Sequence, residues 1–415
     1  MTVEPISVMQ DKHIVLGVTG SIACYKAVDL ASKLTQSGAL VDVILTEAAA
    51  RFVSSLTFQA VTGRPVYTSM WATDSGSDAL PTHIAHVGLG EDADLLAVIP
   101  ATAHTLARLA QGMADDLLGV TALAARGPLL VAPAMDGGMY IHPVVQANLK
   151  ALRDRGVFII EPEEGRFASG LTGRGRLPET PTLIGHIRRV MGRAGDLEGQ
   201  KVVVSAGGTR EAIDPVRYIG NRSSGKQGHA IAQAVLDAGA REVVLVTTAE
   251  LPEPVGAVRV QVESAQEMRD AVIAHSTDAD LLVMAAAVAD FRPAMAARQK
   301  IKKESAGTPT VELAHTPDIL MDVRAAREES GFPRVVIGFA AESENLLKNA
   351  RDKLKRKGLD LLVANDILAE DAGFSVDTNR VIILDTDGDA TPLDLTSKTR
   401  VAEAIIARAA LLLRD

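Results

Sequence analysis

"HIVLGVTGSIACYKAVDL", residues His13–Leu30, decides the fold. Its first six residues are rich in Val, Ile and Leu and too few for a helix, so they read as a buried strand. Gly17-x-x-Gly20-Ser21 follows. Ile22, Ala27, Leu30 and Leu34 then recur at helical spacing and predict an apolar helix face over Ile22–Leu34. Strand, glycine turn and helix in this order open a parallel α/β unit. Glycine permits the tight turn, and Ser21 suits an N-cap. Free N–H groups at such a helix start favour phosphate. The third glycine of the dinucleotide fingerprint is missing, however. An ordinary strand-to-helix turn explains the stretch as well as a ligand loop does.

The same alternation continues outward. Short apolar runs at Val41–Thr46, Leu95–Ile99, Leu129–Ala132 and Val157–Ile160 predict further strands, with helical patterns between them. Near Gly192–Gln200, "GRAGDLEGQ", the pattern lapses into small and polar residues. It restarts at "KVVVSAGGTREAIDPVR" from Lys201, with strands expected at Val243–Thr247, Leu281–Ala285, Val335–Phe339, Leu361–Ala364 and Val381–Leu384. The expected fold is α/β, with two tandem open, mostly parallel sheets and helices on both faces. The expected domains are residues 1–193 and 199–415.

Composition agrees. A chain of 415 residues exceeds the roughly 250–300 at which one core stops growing. Hydrophobic residues make up 47% and aromatic residues only 3%, so the core must be aliphatic, as in parallel sheets. A net charge of −9 argues against nucleic acid or a membrane surface as partner. Any anionic ligand must meet local basic clusters. The single cysteine, Cys24, excludes an internal disulfide. No signal-peptide pattern opens the chain, and no apolar run reaches the roughly 18 residues of a membrane span. A cytoplasmic address is expected.

"RYIGNRSSGKQG", Arg217–Gly228, carries the Ser, Gly and Lys of a phosphate loop. Its glycine spacing is not that of a P-loop, and Gln227 follows Lys226 where Ser or Thr is required. Ser223, Ser224, Gly225 and Lys226 still offer hydroxyls, N–H groups and a cation at a helix start. Lys353 and Lys357 stand four apart on a predicted helix, hence on one face. Lysines in a last turn before Gly358 also complement the helix dipole with no ligand at all.

Four blocks in the first half carry a resemblance. They are the turn above, "LTEAAARFV" (Leu45–Val53), "PATAHTLARLAQGMADDLL" (Pro100–Leu118) and "APAMDGGMYIHP" (Ala132–Pro143). Together they resemble the flavin-containing cysteine decarboxylases. The resemblance implies a flavodoxin-like domain holding FMN through Gly17, Thr19, Gly20, Ser21, Thr46, Phe52, Ala101, Thr102 and Met135. It implies a proton-handling histidine before the Ala93-Asp94 strand. His83 and His86 compete, and the family's spacing of eight residues to that Asp favours His86.

Two positions depart from the family pattern. Pro133-Ala134-Met135-Asp136 stands where the family has Pro-Ala-Met-Asn. An ionised Asp136 facing a substrate carboxylate costs on the order of 4 kcal/mol at 4 Å with an effective dielectric of about 20. Either Asp136 is protonated and donates, since like charge raises a carboxyl pKa, or it binds something other than that carboxylate. In the flap "GRFASGLTGRGRLPE" (Gly165–Glu179), Ser169 replaces the family's proton-donating cysteine. A water, His86 or the substrate then supplies the proton.

The second half resembles the phosphopantothenate–cysteine ligases over nearly all of residues 200–400. The blocks are Ser205–Ala232, "AAAVADFRP" (Ala285–Pro293), "KIKK" (Lys300–Lys303), "TPDIL" (Thr316–Leu320) and "GFAAES" (Gly338–Ser343). This resemblance implies a Rossmann-like domain and an acyl-cytidylate made from CTP. Asn221 would serve its formation and Arg217 its turnover with cysteine. Ser223, Ser224, Gly225, Lys226, Ala287, Asp290, Lys300, Pro317, Asp318, Ile319, Leu320, Phe339, Lys353 and Lys357 would hold the nucleotide, and Asp290 would also help place Mg²⁺. The implied substrates are 4′-phosphopantothenate, L-cysteine and CTP. The implied assembly is a homo-oligomer, a dodecamer built from trimers through the first domain and dimers through the second.

Overall fold

The computed structural model describes residues 4–71, 85–302, 310–342, 346–366 and 376–414. In the first half, six strands form one sheet: β1 (His13–Val18), β2 (Leu40–Leu45), β3 (Val66–Tyr67), β4 (Leu95–Ala101), β5 (Leu129–Pro133) and β6 (Phe158–Ile159). Their order is β3-β2-β1-β4-β5-β6, and every pairing is parallel. Both faces are covered. Ile14, Leu16 and Val18 pack with Ala27, Leu30 and Leu34 on one side, while Val15, Leu96 and Val98 pack with Leu106 and Leu149 on the other. Burial on both faces is why these strands read as continuous apolar runs. An antiparallel hairpin, β7 (Glu163–Arg166) and β8 (Thr172–Arg176), forms the flap.

The first turn differs from its reading in sequence. The helix spans Cys24–Gln36, two residues later than expected, and Ala23 stands at its N-cap with no side-chain bond. Ser21 instead sits in the preceding turn, where its Oγ accepts from the N–H of Ala23 at 3.3 Å. Ile22 precedes the helix and is 60% exposed, so it belongs to no buried face. The glycines answer to space. A Cβ at Gly20 would lie 2.5 Å from the Cβ of Ala48.

In the second half the strands are β9 (Lys201–Ala206), β10 (Arg210–Ala212), β11 (Tyr218–Gly220), β12 (Glu242–Thr247), β13 (Ala257–Gln261), β14 (Leu281–Met284), β15 (Phe291–Pro293), β16 (Leu313–His315), β17 (Val335–Glu342), β18 (Leu361–Asp366), β19 (Thr378–Asp385) and β20 (Ala390–Ser397). Eight of them make a sheet in the order β13-β12-β9-β14-β17-β18-β19-β20. It is parallel as far as β18, then antiparallel. Two ribbons, β10–β11 and β15–β16, stand outside it. Strand order reverses between β9 and β14, the kind of crevice where open α/β sheets take ligands. By its contacts the chain divides into the units Met1–Met191 and Gly192–Asp415.

Candidate active sites

The second unit has a cleft of about 970 Å³ at the carboxyl ends of β14, β17 and β18. The loop after β11 forms one wall. Asn221 there donates its amide to the carbonyls of Ala287 (3.3 Å) and Val288 (3.1 Å), pinning the loop that follows β14. Gly225 then caps the helix Lys226–Asp237, whose first turn faces the cleft. Opposite lies the start of the helix Ile319–Ser330, capped by Asp318, which accepts from the N–H of Met321. Two helix N-termini thus open on one cavity, and both favour an anion. Arg222, Lys226, Lys353, Arg356, Lys357 and Lys398 line it against Asp290 and Asp318. The lining charge is positive although the whole chain carries −9.

Lys353 and Lys357 turn inward. Lys353 Nζ donates to the carbonyl of Phe339 at 2.8 Å, and Lys357 Nζ pairs with Asp318. Both ammonium groups are thus held by partners outside their own helix. Asn221, Ser223, Ser224, Gly225, Lys226, Ala287, Asp290, Pro317, Asp318, Ile319, Leu320, Phe339, Lys353 and Lys357 all line this one cleft. Arg217 and Lys300 are not among its lining residues. They sit together elsewhere: Arg217 donates to the carbonyl of Ile301, the residue after Lys300, at 3.0 Å.

Sequence reasoning passed over three residues. Lys398 is 6% exposed in the cleft wall, and its Nζ donates to the carbonyl of Val376 at 2.5 Å. Burial and the neighbouring Lys226 push its pKa down. Asn365, at the end of β18, has a buried side-chain oxygen with no hydrogen-bond partner among the described residues. Asp214 is 3% exposed and gathers donors from two segments. Asn365 and Lys398 lie in none of the blocks that carry the resemblance, and Asp214, inside Ser205–Ala232, is neither a glycine nor part of the phosphate-loop stretch. A lysine and an asparagine beside strand ends were the only available signals.

In the first unit the expected flavin residues lie at or just after the carboxyl ends of four parallel strands, β1, β2, β4 and β5. Thr19 ties two of these loops together, donating to the carbonyl of Pro100 at 2.7 Å and accepting from the N–H of Thr102 at 3.0 Å. Thr46 and Thr102 cap helices by accepting from Ala49 and Thr105. Ala101 is buried and Phe52 is 51% exposed. Met135 binds the flap, its N–H donating to the carbonyl of Gly175 at 3.0 Å. Asp136 accepts twice, from the N–H of Gly138 at 3.2 Å and from the Ser169 hydroxyl at 2.7 Å. His86 lies half-buried in the first turn of the helix Ala85–Glu91. Among the described residues no hydrogen bond joins it to Asp136 or Ser169. His83, Lys303 and Ser343 lie outside the described residues.

Comparison with known proteins shows the family. Residues 3–192 match the family described as Flavoprotein, and residues 197–412 match the DNA/pantothenate metabolism flavoprotein C-terminal domain. The coenzyme A biosynthesis bifunctional protein CoaBC of Mycobacterium bovis is 47% identical over 407 residues, 95% of each chain. That of Bacillus subtilis is 43% identical over 401 residues, 96% of each. The chain belongs to the CoaBC family. A solved C-terminal domain of a CoaBC protein is 37% identical and covers 53% of this chain and 99% of its own, with a TM-score of 0.45.

Like its family, the chain is an enzyme of coenzyme A biosynthesis with a decarboxylase and a ligase activity. Its first half is a flavoprotein domain. No helix among the described residues is long and apolar enough to cross a membrane.

Proposed function

We propose that residues 199–415 join 4′-phosphopantothenate to L-cysteine using CTP, and that residues 1–193 decarboxylate the product, 4′-phosphopantothenoylcysteine, to 4′-phosphopantetheine with FMN. The observation that carries the ligase reading is the cleft, where the Asn221–Lys226 loop meets Phe339, Lys353, Lys357 and the Pro317–Leu320 helix start. In the first step a carboxylate oxygen attacks the α-phosphorus of CTP, and the bond to pyrophosphate breaks. In the second the cysteine amine attacks the acyl carbon, loses a proton, and CMP leaves. Negative charge grows on the phosphates in the first step. Donors already fixed in place stabilise it without reorganising. Ser223, Ser224, Gly225 and Lys226 serve at the loop, Lys353 and Lys357 opposite them, and Lys300 on the triphosphate. Asn221 supports formation of the acyl-cytidylate and Arg217 its reaction with cysteine. Mg²⁺ would be held by Asp290 together with phosphate oxygens. One or two carboxylates plus substrate phosphates is the usual set for that ion. Among the described residues no cluster of three His, Cys, Asp or Glu side chains offers an all-protein site.

The first unit's residues fit a flavin. Phe52 stands half out of water at the sheet edge, and Thr46 and Thr102 bring capped helix starts to it. Gly17, Thr19, Gly20, Ser21, Thr46, Phe52, Ala101, Thr102 and Met135 would hold FMN. When bound, FMN would supply the reversible two-electron chemistry that the decarboxylation needs. His86 handles a proton, and Asp136 and Ser169 meet the carboxylate side under the flap. Ile22, Tyr25, Met139 and Ile141 are exposed apolar side chains of this unit. They support assembly of copies, which we read as trimers here and dimers through the second half, giving a dodecamer. A cytoplasmic enzyme is the accompanying reading.

A second reading keeps the ligase but gives the flavin-binding half weak decarboxylation or a structural role. One observation favours it: Ser169 and Asp136 already satisfy each other where the family has Cys and Asn. Pyrophosphate and CO₂ followed together from 4′-phosphopantothenate, cysteine, CTP and Mg²⁺ separate the readings. Comparable yields support both activities. Pyrophosphate without CO₂ leaves the second reading, and no pyrophosphate defeats the ligase assignment.

A further inference from the structure

Arg217 and Lys300 are the two expected ligase residues that do not line the cleft, yet one carboxylate holds Arg217 and the backbone beside Lys300. Asp214 lies in the turn between β10 and β11. Its Oδ1 accepts from the N–H groups of Val216 and Arg217, both at 2.9 Å. Its Oδ2 accepts from Arg217 Nε at 3.0 Å, from Arg217 Nη2, and from the N–H of Ile301 at 3.1 Å. Arg217 closes the ring by donating to the carbonyl of Ile301. A second tie runs alongside, the N–H of Ala297 donating to the carbonyl of Ile213 at 2.9 Å. The carboxylate is 3% exposed, while the arginine it holds is 48% exposed at the side chain.

An exposed arginine samples many rotamers unless something fixes it. A two-point grip by a buried carboxylate fixes the plane of the guanidinium as well as its place. The same carboxylate clamps the backbone one residue beyond Lys300. A turn needing only closure would be served by the two N–H groups of Val216 and Arg217. The three remaining bonds reach the arginine fork and a segment more than eighty residues away.

We propose that Asp214 is a positioning residue for the ligase: it orients Arg217 for the cysteine step. The inference rests on the ligase reading above, and deepens it by dividing the two steps between two supports. Acyl-cytidylate formation depends on the Asn221–Lys226 loop, while its use by cysteine depends on the Asp214–Arg217 pair.

The test uses the full chain with 4′-phosphopantothenate, CTP and Mg²⁺, with and without cysteine. Pyrophosphate from a single turnover without cysteine reads the first step, and CMP and ligated product with cysteine read the second. Asp214→Asn should keep the pyrophosphate burst within a few-fold and slow product formation on the order of a hundredfold, the scale of a misplacement of about 1 Å. Added to Arg217→Ala, it should slow turnover no further, because the two act as one unit. Arg217→Lys, which leaves Asp214 in place but loses the planar fork, should show the same split. Equal loss of both steps in Asp214→Asn, additive loss in the double variant, or full turnover in Arg217→Lys would each overturn the positioning role. If the unaltered chain releases no pyrophosphate, the ligase reading itself fails and takes this role with it.

Discussion

Ser169 Oγ donates a hydrogen bond to Asp136 Oδ2 at 2.7 Å, joining the tip of the β7–β8 hairpin to the cap of the helix Gly137–Tyr140. Both residues replace other types in the pattern this half resembles. In space they replace them as a pair. A carboxylate at position 136 needs a donor, and the hydroxyl at 169 supplies one where a thiol would donate weakly.

The pairing predicts coupled effects. Ser169→Ala should slow CO₂ release roughly tenfold and leave pyrophosphate release unchanged, since one hydrogen bond of about 1.5 kcal/mol is lost along with the flap's tether. Combining it with Asp136→Asn should cost less than the sum of the two single changes. Rates of CO₂ release from preformed 4′-phosphopantothenoylcysteine measure this directly. Strict additivity would show that the two residues act apart.

Gly175 gives a sharper perturbation of the same flap. Its φ is +156°, and a Cβ there would stand 2.3 Å from the carbonyl oxygen of Met135. Gly175→Ala must push β8 off the loop that carries Met135 and Asp136. The expected cost is about 1–3 kcal/mol of local stability, typical of overpacking. Decarboxylation should fall while ligation holds. Proteolytic nicking of the hairpin, compared with the unaltered chain, reports the loosening independently.

Asn365 offers a test of the second cleft. A buried oxygen without a partner costs about 1–3 kcal/mol, and a bound ligand's donor would relieve that cost. Asn365→Ala should therefore raise KM for CTP by roughly tenfold with little change in kcat. A nucleotide titration on the full chain checks it. An unchanged KM would place the side chain outside the nucleotide's reach.

What the sequence disclosed follows from burial. In β1 five of six residues are buried, on both faces, so a short aliphatic run announced a parallel strand. The sheet's far edge was silent. β20 is largely exposed and contains Pro392, so it has neither an apolar run nor a clean alternation. Ile22 fits a helical period yet lies in the turn, because periodicity does not say where the first helical hydrogen bond closes. The cleft was legible wherever a glycine-rich turn or a helix cap marks a ligand-facing backbone. Asp214, Asn365 and Lys398 were not, since their meaning comes from partners 80 or more residues away or from neighbours across the sheet.

The last prediction concerns stability and pH in the first unit. Asp42 in β2 is 2% exposed and is gripped by Arg64 through two bonds of 2.8 Å. His13 meets the same carboxylate through Nε2, while its Nδ1 lies 3.2 Å from the carbonyl of Asp92. Both ring nitrogens face acceptors, which only the doubly protonated ring satisfies. The bond to Asp42 accordingly raises the His13 pKa above 6.5 against the opposing effect of burial. Burial pushes Asp42 up, but His13 and Arg64 together hold it below 3.8. Because folding raises the His13 value, its contribution is full below about 6.5 and declines as pH climbs through the folded value. Because folding lowers the Asp42 value, its contribution is full above about 3.8 and is lost as pH falls through the folded value. Between those limits the cluster is at its strongest. Asp42→Asn should destabilise this unit by about 2 kcal/mol or more, short of the 3–5 seen for fully buried pairs because Arg64 is partly exposed. It should also flatten the decline in Tm above pH 6.5. Thermal unfolding of the Asp42→Asn and His13→Gln variants from pH 5 to 9 reads both effects, and a decline that survives in both variants would assign the pH dependence to other groups.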